Sequence, residues 1–130
     1  MDRALWTTRD YLQQRSQFGV PLASFQALQH RLADMLIAHE QARAAQHGAL
    51  AALVQDDAAV RRRAVAIAKV QAGRSGRFVG AQAIQLHGGI GVTDECIVGH
   101  CFKRLMVLDS LLGNSQFHLG ELAGPLQERA

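Results

Sequence analysis

Where the sequence reads Gln85-Leu86-His87-Gly88-Gly89-Ile90-Gly91-Val92-Thr93-Asp94-Glu95, a long alanine-rich helical pattern stops on two glycines. Such a turn can do chemistry without side chains. Gly88 and Gly89 tolerate positive φ and let another molecule approach bare backbone N–H groups, which bind anions, while Gly91 would keep the turn open beyond them. The same residues can equally be a plain helix stop, since glycine is the commonest residue just past a helix end. A dinucleotide fingerprint is excluded: Gly89-x-Gly91 runs into Thr93 and Asp94 instead of a third glycine, and a helix precedes it where a strand is required.

Other reactive residues carry weaker signals. His30, His39, His47, His87, His100 and His118 form no His-x-x-x-His or histidine–carboxylate cluster, so no metal site is expected. Cys96 and Cys101 fall on what reads as one short helix, poor geometry for a disulfide, and are expected as reduced, half-buried thiols. Arg61, Arg62, Arg63, Lys69, Arg74 and Arg77 lie within residues 58–93, a stretch that contains no acidic side chain. With no interleaved aromatics and no recognition motif, this cluster reads as a solvated helix face that also meets a neighbouring subunit or an anionic cofactor, and not as a nucleic-acid surface.

The elements that must position these groups are helical. Alanine, leucine, glutamine and arginine are abundant, whereas the chain has two prolines, one tyrosine and one tryptophan among 130 residues, a balance that favours helix over sheet. Residues 5–15 read as a helix that stops before Gly19-Val20-Pro21. Ser24 can cap the next, whose apolar stripe Leu28, Leu32, Met35, Ala42, Ala49 and Leu53 carries it to about residue 54. Gln55-Asp56-Asp57 supplies a polar break and a new cap. Residues 58–86 are small or apolar almost all round, so this helix is expected at the centre, its glycines at 73, 76 and 80 each costing about 1 kcal/mol of propensity relative to alanine. Residues 96–108 and 114–127 complete the count, with Gly113 between them and Pro125 ending the last ordered turns. The expectation is one all-α domain over residues 1–130, an antiparallel bundle of about five helices. No apolar run spans a membrane and no secretory leader is evident, so a cytoplasmic location is the default.

The segment Ala83-Ile84-Gln85-Leu86-His87-Gly88-Gly89-Ile90-Gly91 resembles the "QLHGGxG" segment of the acyl-CoA dehydrogenases, flavoenzymes that oxidise the α,β bond of an acyl thioester. Arg15-Ser16-Gln17-Phe18-Gly19 resembles that family's "R-x-x-F-G" turn, Phe25-Gln26-Ala27-Leu28-Gln29-His30 its "FQxxQH" helix start, and Lys69 stands sixteen residues before Gln85, as in the family. Val98-Gly99-His100-Cys101-Phe102-Lys103-Arg104 with Asp109 is similar to the small subunit of pimeloyl-CoA-type dehydrogenases. The resemblance implies the family's C-terminal helical domain without its N-terminal helical and middle β domains, Met1 then falling inside a longer helix as in a truncated product or a reading frame begun late. It implies that the intact protein takes FAD and an acyl-CoA substrate and assembles as a homo-oligomer or with another acyl-CoA dehydrogenase subunit.

By the same resemblance Arg15 binds the pyrophosphate of an FAD held mostly by another subunit, a task suited to a permanently charged bidentate group. Phe18 packs on the flavin side of that site, with Gln17 and Gln26 beside it. Gln85, Leu86, His87, Gly88 and Gly89 lie against the ADP portion, His87 as a packing or hydrogen-bonding residue in preference to a base. Asn114 and Gln116 match positions that touch the flavin of the subunit's own site, although Asn114 replaces the usual threonine. Flavin chemistry of this kind needs a carboxylate to take the α-proton. The family's glutamate position holds Leu112 here, and Asp109, three residues upstream, is displaced by ~4 to 5 Å. This chain alone is therefore expected to be inactive. Either a longer polypeptide carries its base on the helix before Met1, or the chain is a non-catalytic subunit of a heteromeric enzyme.

Overall fold

The computed structural model describes residues 1–127. Five α-helices follow in order: α1 Asp2–Gln14, α2 Gln26–Ala52, α3 Ala58–His87, α4 Ile97–Ser110 and α5 Ser115–Gln127. The all-α expectation holds, and so does the central place of α3. This helix, 30 residues long, packs against all four others. Helix α2 runs back along it, with Arg31 Nη1 3.5 Å from Gln82 Oε1 and Gln71 Nε2 donating to Gln41 Oε1 at 3.2 Å. The core joins Ala4, Leu5 and Leu12 of α1, Met35 of α2, Val79, Ala83 and Leu86 of α3, and Val98 of α4.

Small residues on α3 let its neighbours come close. A methyl at Gly80 would meet the Phe102 ring at 2.7 Å and the Phe102 Cα at 3.3 Å, and one at Gly76 would touch Leu105 at 3.3 Å. Close backbone approach thus accounts for glycines that helix propensity disfavours. Gly80→Ala would gain ~1 kcal/mol of propensity, but overpacking against a backbone atom costs ~1 to 3 kcal/mol. The expected result is a net loss of stability, read as a lower urea midpoint at unchanged slope; a midpoint at or above that of the parent chain would refute the packing account.

Four boundaries differ from the sequence reading. Ser24 does not cap α2: it lies in a 3₁₀ turn, Leu22–Ser24, and its Oγ donates to Pro21 O at 2.5 Å. Phe25 occupies the cap position without a side-chain bond. Leu53 does not belong to the buried stripe, being 56% exposed just past the end of α2. Pro125 does not end the last helix, which continues to Gln127. Cys96 precedes α4 as its N-cap, with Cys101 inside the helix; both are partly buried free thiols. Asp57, by contrast, caps α3 as its type and place suggest, accepting from Ala59 N at 2.7 Å. Among the described helices none is long and apolar enough to cross a membrane.

A two-stranded hairpin interrupts the helices. Ser16–Gln17 pairs antiparallel with Val20–Pro21, and its two-residue loop is Phe18-Gly19 with φ of 56° and 80°. Positive φ at both central residues is the type I′ requirement. Phenylalanine has no steric preference for that region, so a bulky side chain held there reports a position fixed by more than local propensity.

Candidate functional site

The site is assembled at one end of the bundle. Helices α1 and α3 finish there, and α2 begins there. The tie between the first two is Tyr11, whose ring stacks on the His87 imidazole at 4.3 Å and whose hydroxyl lies 3.4 Å from His87 O. Arg15 is the first residue past α1, its backbone N–H bonded to Tyr11 O at 2.8 Å and its O accepting from Leu22 N at 2.8 Å. That second bond closes the base of the hairpin. Arg15, Gln17 and Gln26 are exposed, and Phe18, 90% exposed, meets Phe25 edge to face, ring centroids 6.2 Å apart.

On the other side of this end the last turn of α3 divides its residues. Gln85 is exposed, while Leu86 enters the core and His87 is buried with Nδ1 2.8 Å from Ala83 O. A carbonyl only accepts, so Nδ1 carries the proton and the ring is committed to packing and to this bond. The arrangement supports the structural role for His87 and leaves Leu86 only its backbone for an outside contact. Gly88 ends the helix at φ 64°. Gly89 does not share that conformation, contrary to the sequence reading: both glycines belong to the 3₁₀ turn Gly88–Val92, but only Gly88 has positive φ. Methyl groups at Gly88 or Gly89 would meet nothing within 4 Å, so their backbone is open to approach. Gly91 does the opposite of holding the turn open. It is buried, and a Cβ there would lie 2.6 Å from Ile84 O.

These groups fit an anionic, partly planar ligand. Arg15 supplies a permanent charge, Gly88 and Gly89 open backbone, Gln85 an amide, and Phe18 an uncovered ring. The α2 N-terminus lacks a side-chain cap, which leaves first-turn N–H groups and the positive end of a 27-residue helix on the same side. The C-termini of α1 and α3 bring partial negative charge to this end, and Arg15 and the α2 N-terminus offset it.

Asn114 and Gln116 are not part of this group. Asn114 caps α5, its Oδ1 accepting from Phe117 N at 2.8 Å, and Gln116 is exposed beside it. Ser115, between them, meets α3 at Gly73, roughly 20 Å along the helix from His87. The sequence-derived site residues therefore form two separate groups. Near the second, Lys69 Nζ donates to Leu111 O at 2.8 Å and lies 3.3 Å from Leu108 O and Asp109 O, so this lysine caps the end of α4. Sequence reasoning missed Tyr11 as the partner of His87. Its position one turn before Arg15 was the available signal. No group of three or more His, Cys, Asp or Glu side chains among the described residues could hold a metal ion.

Residues 1–126 match the family described as "Acyl-CoA dehydrogenase, C-terminal domain". The acyl-CoA dehydrogenase IpdE2 of Mycolicibacterium smegmatis is 37% identical over 120 residues, which cover 92% of this chain and 36% of that protein. In the ChsE4-ChsE5 complex from Mycobacterium tuberculosis a chain 30% identical superposes with a TM-score of 0.89, covering 98% of this chain and 34% of the other. A solved FAD-dependent dehydrogenase is 28% identical at a TM-score of 0.88, with coverage of 96% and 33%. The chain thus spans about a third of the length of the relatives it matches.

Proposed function

Because this chain belongs to the acyl-CoA dehydrogenase C-terminal domain family, we propose that it is the C-terminal domain of an FAD-dependent oxidoreductase acting on the CH–CH bond of acyl-CoA thioesters. In this reading it contributes cofactor contacts and an oligomer interface, and it is inactive alone. The observation that carries the cofactor role is the convergence of exposed Arg15, Gln17, Phe18 and Gln26 with Gln85 and the open backbone of Gly88 and Gly89 at one end of the bundle. Bound FAD would supply the hydride acceptor. Arg15 would bind pyrophosphate, the turn after α3 would bond the ADP portion through its N–H groups, and Phe18 would cover an apolar surface of the cofactor or its partner subunit. Asn114 and Gln116, at a separate level of α3, would serve a second cofactor position, the one belonging to the subunit itself.

A second reading rests on Leu112. In the family's pattern this place holds the proton-accepting glutamate, and leucine accepts no proton, so the chain would be a non-catalytic subunit of a heteromeric enzyme. One of its structural relatives occurs in a complex of two differently named chains.

Two outcomes are expected of the purified 130-residue chain. It should be colourless, because its half of the contacts covers only part of a cofactor; flavin absorbance near one equivalent would overturn this partition. It should also self-associate at micromolar concentration, since Leu50, Leu53, Val54, Phe117 and Leu112 are each more than half exposed. Sedimentation velocity decides the point, and a monodisperse monomer would count against an interface on this domain.

A further inference from the structure

The turn between α4 and α5 is held far more tightly than a helix stop requires. Asp109, 9% exposed, accepts a 2.6 Å bond from Ser115 Oγ and lies 3.5 Å from Arg77 Nη2. Lys69 gathers the three carbonyls of residues 108, 109 and 111, and His118 Nε2 lies 3.0 Å from Leu112 O. Beneath them Gly73 leaves room for the Asp109 carboxylate and the Ser115 hydroxyl, which a methyl at that position would displace. Suspended on these anchors is Leu112, at φ 57° and 93% exposed, followed by Gly113 at φ 90°.

Neither packing nor backbone preference places a leucine there. A side chain this exposed adds nothing to the core, and glycine would occupy the left-handed region without strain. Such outliers persist when their surroundings over-determine them, and here five side chains from three helices do so. Leu112 and Phe18 are the two non-glycine residues with positive φ among the described residues, and they are also the two most exposed large apolar side chains. Each precedes a positive-φ glycine. The common feature is an apolar side chain aimed outward by a rigid turn.

We propose that Lys69, Asp109 and Ser115 are positioning residues that lock the α4–α5 turn before any ligand arrives and so preset Leu112 as an apolar contact for the acyl portion of a thioester. The choice of an acyl ligand rests on the function proposed above. The clasp itself rests on the geometry alone. It acts through Leu112 and touches no ligand, and Gly73 is the space it needs.

Three measurements test it. In the 130-residue chain, Ser115→Ala and Lys69→Met should raise amide exchange at residues 111–115 by about tenfold or more while the centre of α3 keeps its protection, with Ser115→Thr restoring the slow exchange. Unchanged exchange in both loosening variants would overturn the clasp. Leu112→Gly should raise the melting temperature by roughly 2 to 5 °C through relief of strain. A fall would show that the leucine serves the stability of this chain, and would overturn its role as an outward contact. In the flavin-loaded protein that carries this domain, Leu112→Ala should change the relative KM values for short and long acyl thioesters, and Ser115→Ala should change them in the same direction. If Leu112→Ala shifts the profile and Ser115→Ala does not, positioning is refuted while the substrate reading stands. If Leu112→Ala shifts nothing, the substrate reading falls and the exchange data alone judge the clasp.

Discussion

Mixed with acyl-CoA thioesters, added FAD and an electron acceptor, the 130-residue chain should show no turnover. A dehydrogenation of this type needs a base at the α-carbon, and general-base help is commonly worth ~10²- to 10⁴-fold. Leu112 supplies none. Asp109 cannot replace it: its carboxylate is turned into the bundle, bonded to Ser115 and seated over Gly73, whereas the Leu112 side chain points outward. Expressed as a longer protein with and without a neighbouring dehydrogenase subunit, the domain should separate the two readings by flavin bleaching. Bleaching in the homomer that is lost on changing an upstream glutamate supports a base on the preceding helix. Bleaching only in the mixture supports the non-catalytic subunit, and turnover by the isolated chain would sink both. Leu112→Glu in the homomer is the complementary probe, since the rigid turn would present the new carboxylate where the leucine now stands. A gain of turnover there would show that position 112 faces the reacting carbon.

Much of the fold was legible because its signals are local and repeated. The break at Asp57, the small-residue helix and the stop at Gly88 each follow from residue types that favour one backbone state, and all three stand in the structure. What escaped was set by tertiary context. Ser24 had the right chemistry for a cap, but Pro21 O was nearer and a 3₁₀ turn intervened. Gly89 and Gly91 looked like Gly88 in the sequence, yet all three share one 3₁₀ turn in which only Gly88 has positive φ, and Gly91 is small because Ile84 O passes close by. At the candidate site, the turn residues were named from their pattern, and the resemblance already assigned Asn114 and Gln116 to another cofactor position; what the pattern did not give is the distance between the two groups, about 20 Å along α3. Nor could it show that Phe18 and Leu112 share a conformation. Positive φ at a bulky residue leaves no compositional trace except the glycine that follows it.

Arg15→Ala, made in the flavin-binding protein that contains this domain, should weaken FAD by ~1.5 to 3 kcal/mol, roughly 10- to 150-fold, the range for a lost charge-assisted hydrogen bond. The Arg15 guanidinium is exposed at the end of α1, on a hairpin base fixed by two backbone bonds, so its stem leaves a defined point and the ordering cost on binding falls on the side chain and not on the backbone. The contribution of Arg15 to the fold is small by comparison, some tenths of a kcal/mol from its place at a helix C-terminus. Affinity and stability should therefore move apart: the apparent dissociation constant rises while the melting temperature of the apo-protein changes little. Arg15→Lys should recover only part of the loss, since an ammonium keeps the charge but not the planar fork that grips two phosphate oxygens. Arg9→Ala is the control, because Arg9 lies earlier on α1 and is already engaged with Asp10 and the Trp6 ring. Fluorescence quenching of FAD on titration reads all three. An unchanged constant for Arg15→Ala, or an equal loss for Arg9→Ala, would remove Arg15 from the cofactor site and leave the cluster at this end of the bundle without its anion-binding charge.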